Sequence, residues 1–202
     1  MPPRIVSQQL SNPSGLLGRV FGHLMNRNNA GMNAFAVQCL ETTTRDRVLE
    51  IGFGGGVALP PLLRAVRFVA GVDRSPDVVA WARGKYAEAV SAGRAEFSEG
   101  RVDALPHADG SFDQVLTVNT VYFWPSLEAG CAEIYRVLAA GGRAAIGFLP
   151  KQWMDALGHP PDIFTSRTIE EVAAALRAAG FGEVRVERPM RNVRWNVLVA
   201  TR

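Results

Sequence analysis

The residues whose types and spacing suit chemistry fall at three turns of the chain. Glu50 lies near the end of the short apolar run Arg47-Val48-Leu49-Glu50-Ile51 and is followed by glycines at 52, 54 and 56. Val48, Leu49 and Ile51 suit a buried strand, and the glycines let the backbone turn tightly and approach a ligand where a Cβ would collide. A second apolar run, Phe68 to Val72, ends in Asp73, 17 residues beyond Gly56. A carboxylate at the tip of a neighbouring strand accepts hydrogen bonds from both hydroxyls of a ribose. The third turn carries Asp103, in Val102-Asp103-Ala104-Leu105-Pro106, ahead of Asp109-Gly110-Ser111-Phe112-Asp113. Past Gly56, the residues Val57, Leu59, Leu62, Leu63 and Val66 recur at helical spacing. Strand, glycine loop and helix in that order make a nucleotide-type site at the carboxyl end of a parallel sheet.

Glycines and one acid do not choose the nucleotide. The dinucleotide fingerprint is G-x-G-x-x-G/A, and counting from Gly52 and Gly54 puts Val57 where a small residue is required. The chain instead reads G-x-G-x-G, with Glu50 two residues before the first glycine.

The elements that must hold these turns alternate. Strands are expected near 47–51, 68–72, 95–99, 114–118 and 142–148, with helices near 57–66, 76–90 and 127–139 between them. That order predicts an α/β fold whose mostly parallel sheet is covered by helices on both faces. Ser75-Pro76 is a helix start, since Ser caps exposed amides and Pro suits the first turn. Thr168-Ile169-Glu170-Glu171 has the spacing of a capping box, opening a helix that stops at Gly180. Glu183 to Arg188 and Arg194 to Thr201 alternate as two final strands joined by a Pro189-Met190-Arg191-Asn192 turn.

On these residues the sequence resembles the class I S-adenosylmethionine-dependent methyltransferases, in particular the compact small-molecule type similar to ubiquinone and menaquinone biosynthesis methyltransferases. The family's first motif matches LEIGFGGG at 49–56, its ribose acid matches Asp73 in GVDRSP, and its adenine-loop motif matches Asp103-Ala104 in VDALPHADGSFD. A further motif matches YRVLAAGGR at 135–143. The resemblance runs from about Asn33 to Phe148 and more loosely to the end. It implies a Rossmann-like, doubly wound sheet of seven strands with one antiparallel strand, and S-adenosylmethionine as cofactor.

The resemblance also assigns cofactor residues. Gly52, Gly54 and Gly56 would pass close to the methionine part, while Glu50 would face its ammonium group directly or through water, or else hold loop amides. Asp73 would bind the ribose, and Arg74 would flank the adenine. Asp103 would accept from the exocyclic amine of adenine and the Ala104 amide would donate to a ring nitrogen, unless Asp103 only makes an Asx turn before Pro106. Asn119 and Thr120, after the fourth strand, would turn backbone carbonyls toward the cofactor's amino group, or Asn119 would simply form a turn. Asn26, Asn28, Asn29 and Asn33 are dense, and Asn33 stands where similar sequences carry Asn; one of the four would reach the cofactor carboxylate, while most would be solvent-facing caps.

The implied reaction is in-line displacement of a methyl group from sulfur by an O, N, C or S nucleophile. Orientation alone supplies roughly 7 to 11 kcal/mol in model reactions, so a general base is optional. His23, His107, His159 and Tyr122 are the candidates if one is used. Tyr122-Phe123-Trp124-Pro125 follows the cofactor strand, so Tyr122 and Trp124 form either a wall of the substrate pocket or ordinary core. Trp153 belongs to a segment at 149–166 expected to be a substrate-side insertion, which with these rings points to an apolar or aromatic small molecule. Asn119-Thr120-Val121-Tyr122 lacks both prolines of the N-P-P-Y type motif found in methylation of nucleic-acid bases or glutamine.

The whole chain, 1–202, is expected to be one methyltransferase domain in which 1–34 forms an N-terminal helical lid. Leu16, Leu17, Val20, Phe21, Leu24 and Met25 make an apolar stripe weakened by Gly15, Gly18 and Gly22. A lid that orders on ligand binding, a helix fixed on the core and a lipid-surface contact through 16–27 are three readings of it. With 48% hydrophobic and 20% charged residues and a net charge of +3, the composition is that of a globular domain. The arginines are dispersed without interleaved aromatics, so no nucleic-acid partner is expected. No apolar run reaches 18 residues and no signal core appears at the N-terminus, so a cytoplasmic location is expected. Cys39 and Cys131 lack partners at metal-ligand spacing, so no metal is expected and both read as core thiols. A NAD-dependent oxidoreductase of Rossmann fold and a catalytically silent cofactor-binding module are the alternative functions.

Overall fold

The computed structural model describes residues 2–11, 29–189 and 192–202. An N-terminal helix α1 (Arg4–Ser11) and a helix over 29–40, α2, precede the first strand, β1 (Arg47–Ile51). Then follow α3 (Leu59–Ala65), β2 (Phe68–Asp73), α4 (Pro76–Lys85), α5 (Ala87–Ser91), β3 (Ala95–Glu99) and β4 (Phe112–Val118). A single 3-10 turn, Val121–Phe123, leads into α6 (Leu127–Val137), β5 (Leu138–Phe148), α7 (Lys151–Asp155), α8 (Ile169–Ala178), β6 (Glu183–Glu187) and β7 (Asn196–Thr201).

The seven described strands form one sheet in the order β3-β2-β1-β4-β5-β7-β6. β1 to β5 run parallel, and β7 alone is antiparallel, to both β5 and β6. This is the doubly wound sheet with one inserted strand that the sequence implies. The direction of winding reverses between β1 and β4, which opens a crevice beyond their carboxyl ends.

Helices cover both faces because the strands are apolar on both. All six residues of β2 are buried. One layer packs Leu49, Val115 and Ile146 against Cys131, Ile134 and Leu176 from α6 and α8. The other packs Val48, Val69 and Leu116 against Leu40, Leu59, Leu62 and Val79 from α2, α3 and α4. Each fully buried Leu or Ile of this kind contributes about 1.5–3 kcal/mol, so the strand ends carrying polar residues are held on a rigid floor.

The helix starts are those written in the sequence. Ser75 Oγ accepts from the Val78 amide at 3.4 Å ahead of Pro76. Thr168 and Glu171 close a capping box, with bonds of 3.1 and 2.7 Å. Several boundaries differ from expectation; β4 starts at Phe112 rather than 114 and α6 ends at Val137 rather than 139. α3 starts at Leu59 rather than 57, its two prolines filling the first turn where no amide donor is required. The helix expected over 76–90 breaks at Tyr86, whose backbone leaves the helical region while its ring packs on Trp81 and Phe97. β5 begins at Leu138 rather than 142, pairing with Phe112 before a register shift admits the glycines at 141 and 142. β7 begins at Asn196 rather than Arg194.

Candidate functional site

The crevice is a cavity of about 1000 Å³ floored by the ends of β1, β2 and β4. Parallel register brings the polar residues together: Ile51 pairs with Val72 and Thr117, and Asp73 pairs with Glu99. Glu50, Gly52, Gly54, Asp73, Arg74, Ala104, Asn119, Thr120, Asn33 and Trp124 all line this cavity.

The glycine loop is shaped by backbone geometry. Gly52, Gly54 and Gly56 have φ of 68°, 47° and 68°, the left-handed region that L side chains rarely adopt. At Gly52 space matters as well: a Cβ there would lie 2.4 Å from Thr120 Cγ2, so the loops after β1 and β4 touch. Gly56 turns away from the cavity, toward Leu59 and Trp81. Its role is to bend the chain into α3.

Asp73 holds the loop. Its Oδ2 accepts from the Gly54 amide at 2.9 Å and its Oδ1 from the Ser75 amide at 3.0 Å. A carboxylate has about four acceptor sites, so two remain for ligand donors. Burial pushes its pKa up from the ordinary aspartate value, against those amide bonds and the nearby Arg74. Glu50 is more extreme. It is 4% exposed, its Oε2 has no hydrogen-bond partner, and burial with the neighbouring Asp73 raises its pKa to about 8. A buried carboxyl left unpaired costs free energy that a ligand cation or donor would recover.

The far wall comes from the segment after β4. Asn119 sits at φ 58°, tied by its amide to the Gly147 carbonyl at 2.8 Å. The hydroxyls form a directed chain. Trp124 Nε1 donates to Thr120 Oγ1 at 3.1 Å, and Thr117 Oγ1 donates to the Ile51 carbonyl at 3.0 Å. Thr120 and Thr117 hydroxyl oxygens bond each other, so Thr120 must be the donor between them. This chain ties the indole to the end of β1.

Other expected site residues stand elsewhere. Asp103 lies outside the cavity lining, with its carboxylate held by Arg101 through bonds of 2.9 and 2.8 Å. That pair keeps Asp103 below the usual carboxylate range. The Ala104 amide bonds the Arg101 carbonyl at 3.1 Å, so the loop closes on itself and presents Arg101 and Val102 to the cavity. Tyr122 is buried behind the wall and lines a smaller neighbouring hollow. Trp153, by contrast, is 37% exposed and stacks under Arg194, with the guanidinium carbon 4.6 Å from the ring centre. It lines neither space, because α7 is a short helix that turns only Met154 into the core.

Neither His107 nor His159 lines the cavity. His107 packs edge-on against Phe112, and His159 Nδ1 bonds Ser7 Oγ at 3.0 Å. His23, Asn26, Asn28 and the stripe at 16–27 lie outside the described residues. Cys131 is buried as expected for a core thiol, whereas Cys39 is only half-buried. Among the described residues no group of three metal-ligating side chains converges, and no helix is long and apolar enough to cross a membrane.

α1 falls within the 1–34 segment expected to be helical, but the stripe singled out there, 16–25, does not include it. Gln9, Leu10 and Ser11 roof the cavity, and the helix docks through buried Ser7 and an Arg4–Asp162 ion pair. No apolar stripe advertises this: Ile5 is exposed while the small polar Ser7 points inward.

A family model described as a methyltransferase domain matches residues 49–146, from the glycine strand into β5. The uncharacterized methyltransferase YdaC of Bacillus subtilis is 28% identical over 170 residues, covering 83% of this chain and 89% of that protein. The ubiquinone/menaquinone biosynthesis C-methyltransferase UbiE of Geobacter sulfurreducens is 36% identical over 118 residues, 55% of this chain, and the match spans only 44% of that protein. Among solved structures, a possible histamine N-methyltransferase of Thermotoga maritima superposes with a TM-score of 0.69 at 24% identity, covering 88% of this chain and 91% of that one. That likeness carries the fold, and the sequence relatives carry the family. On these matches, the chain belongs to the class I S-adenosylmethionine-dependent methyltransferases.

Proposed function

We propose that the chain binds S-adenosylmethionine in the cavity beyond β1, β2 and β4 and methylates an O, N, C or S atom of a small apolar or aromatic molecule. The observation that carries this reading is Glu50: a buried, unpaired carboxyl beside a glycine turn, in a cavity also holding Asp73. The residues fit the cofactor. Glu50 supplies a partner for an ammonium group, Asp73 keeps two acceptor sites for ribose hydroxyls, and the positive-φ glycines leave the loop backbone bare.

When bound, S-adenosylmethionine supplies a methyl group already activated on a sulfonium. The chain's own contribution is position. Asn119 and Thr120 fix the wall where the sulfur end would lie, and Phe123 and Trp124 shape the acceptor's side. No His lines that wall among the described residues, so an acceptor already nucleophilic, or one deprotonated by solvent, suits the site. Adenine recognition by Asp103 would use the acceptor sites that Arg101 leaves on its carboxylate and requires the side chain to turn toward the cavity, whose lining it does not join. A volume of about 1000 Å³ stands at the upper end for small-molecule sites, enough for a cofactor and an acceptor together.

The names of relatives support a small acceptor: they include an arsenite methyltransferase and a fatty-acid O-methyltransferase besides the quinone enzymes. The α1 roof fits a lid over the site, and a cytoplasmic location fits the same reading. Calorimetry of S-adenosylmethionine, S-adenosylhomocysteine and NAD tests it. Binding of the first two but not NAD is expected, with Asp73→Ala weakening both at least about tenfold. Binding of NAD alone would overturn the assignment.

A further inference from the structure

A second hollow of about 340 Å³ opens beside the main cavity and shares Arg74, Phe123, Trp124 and Pro125 with it. Its chemistry differs from the apolar acceptor pocket that the aromatic run suggests. Arg74 and Arg167 both line it, together with Tyr122 and Ile163. Arg167 Nε is buried and donates to nothing among the described residues. A guanidinium is charged at any working pH and cannot relieve burial by losing a proton. Arg74 has no carboxylate within ion-pair distance among the described residues. Burial and the nearby Arg101 disfavour its charge, while Asp73 favours it.

Two negative groups also bear on the hollow. Asp162 lines it, but its carboxylate is engaged by Arg4. Glu128 feels the charge of Arg167 without forming an ion pair to it. The balance leaves an excess of about one positive charge in a hollow whose surface is mainly polar, with Phe123 and Trp124 on the side it shares with the main cavity. A single planar anion meets both demands, because guanidinium donors match a carboxylate in pairs.

We propose that this hollow binds a carboxylate carried by the methyl acceptor, so that the acceptor is an amphipathic monoanion with its apolar body against Phe123 and Trp124. This rests on the methyltransferase reading of the main cavity. Arg167 then orients the acceptor from the side remote from Glu50, and Arg74 stands where acceptor and cofactor spaces meet.

The test uses 3-phenylpropanoate, its neutral amide 3-phenylpropanamide, and 2-phenylethylphosphonate as probes. Their affinities are measured by ligand-observed NMR on the full chain, with and without saturating S-adenosylhomocysteine. The acid is expected to bind at least about tenfold more tightly than the amide. Arg167→Gln should erase that preference, Arg167→Lys should keep part of it, and S-adenosylhomocysteine affinity should stay the same in both. Equal affinity for acid and amide, or a preference surviving in Arg167→Gln, overturns the proposal. Tighter binding of the phosphonate than of the acid overturns the monocarboxylate assignment. Should Arg167→Gln fail to fold, Arg74→Gln carries the same acid-to-amide comparison. Failure of the wild-type chain to bind S-adenosylhomocysteine would instead sink the cofactor reading, and the arm without it keeps the two failures apart.

Discussion

Gly52 and Thr120 lie so close that a Cβ on the glycine would stand 2.4 Å from Thr120 Cγ2, joining the loops after β1 and β4 in one contact. Thr120 cannot retreat, because its hydroxyl is fixed between Trp124 Nε1 and Thr117 Oγ1. Gly52→Ala therefore meets two penalties, a clash and a left-handed φ of 68°. It is expected to lower stability by about 2–4 kcal/mol in denaturant unfolding. Thr120→Ser removes the offending methyl and keeps the hydroxyl, so the double variant should recover the clash and retain the φ penalty. Additive losses in the double variant would show that the contact is not what makes Gly52 necessary.

Glu50 makes stability fall as pH rises. Its folded pKa of about 8 stands above the ordinary glutamate value of 4.5, so between those values the folded chain holds a proton that the unfolded chain has lost. This contribution is full below about pH 4.5 and is gone above about pH 8. Asp73, also raised, adds to the same trend at the acid end. Glu50→Gln should flatten the decline across that window in ligand-free melts. It should also weaken S-adenosylhomocysteine binding, which at pH 7 should release a proton from wild type and none from the variant. An unchanged melting profile would show that Glu50 is already ionised.

Tyr122 is a brace rather than a base. Its hydroxyl accepts from the Leu149 amide at 2.6 Å and has Asn119 Oδ1 at 3.1 Å as a partner for its own proton. Burial pushes its pKa far above the ordinary tyrosine value. Tyr122→Phe leaves the Leu149 amide and the Asn119 carboxamide without this partner and is expected to cost about 1–3 kcal/mol. A loss under about 0.5 kcal/mol in urea unfolding would mean that neither bond holds the wall.

The roof should loosen in acid. His159 is stacked on Phe164, bonded to Ser7, and held below its ordinary pKa of 6.5 by burial. The folded chain thus resists protonation that the unfolded chain accepts, and stability from this group declines as pH falls below about 6.5. Hydrogen exchange of residues 4–11, corrected for intrinsic rates, should quicken below that pH in wild type. His159→Asn should lose the pH dependence, and a wild-type rate indifferent to pH would remove His159 from the docking of α1.

Which features could be read beforehand follows from the range of the forces involved. Local rules suffice for Val48 to Gly56, Ser75-Pro76 and Thr168 to Glu171, because alternation, capping and glycine turns act within a few residues. The parallel order followed from strands separated by helices. Asp73 was legible for the same reason: an acid ending a buried strand has few other uses. Boundaries were less so, since Tyr86 ends α4 by packing on Phe97 and β5 starts early by pairing with Phe112, both contacts distant in sequence.

The sequence by itself determined the family, the doubly wound sheet and the strand ends at which the cavity opens. Only the tertiary structure decided what surrounds them. It turned Trp153 onto Arg194, closed Asp103 on Arg101, left Glu50 unpaired, and brought α1 and Arg167 from opposite ends of the chain to the cavity rim. Hydrophobic periodicity fixes which face of an element is buried, but the partner of each polar group depends on which strand ends the crossovers bring side by side. That juxtaposition is a property of the closed fold.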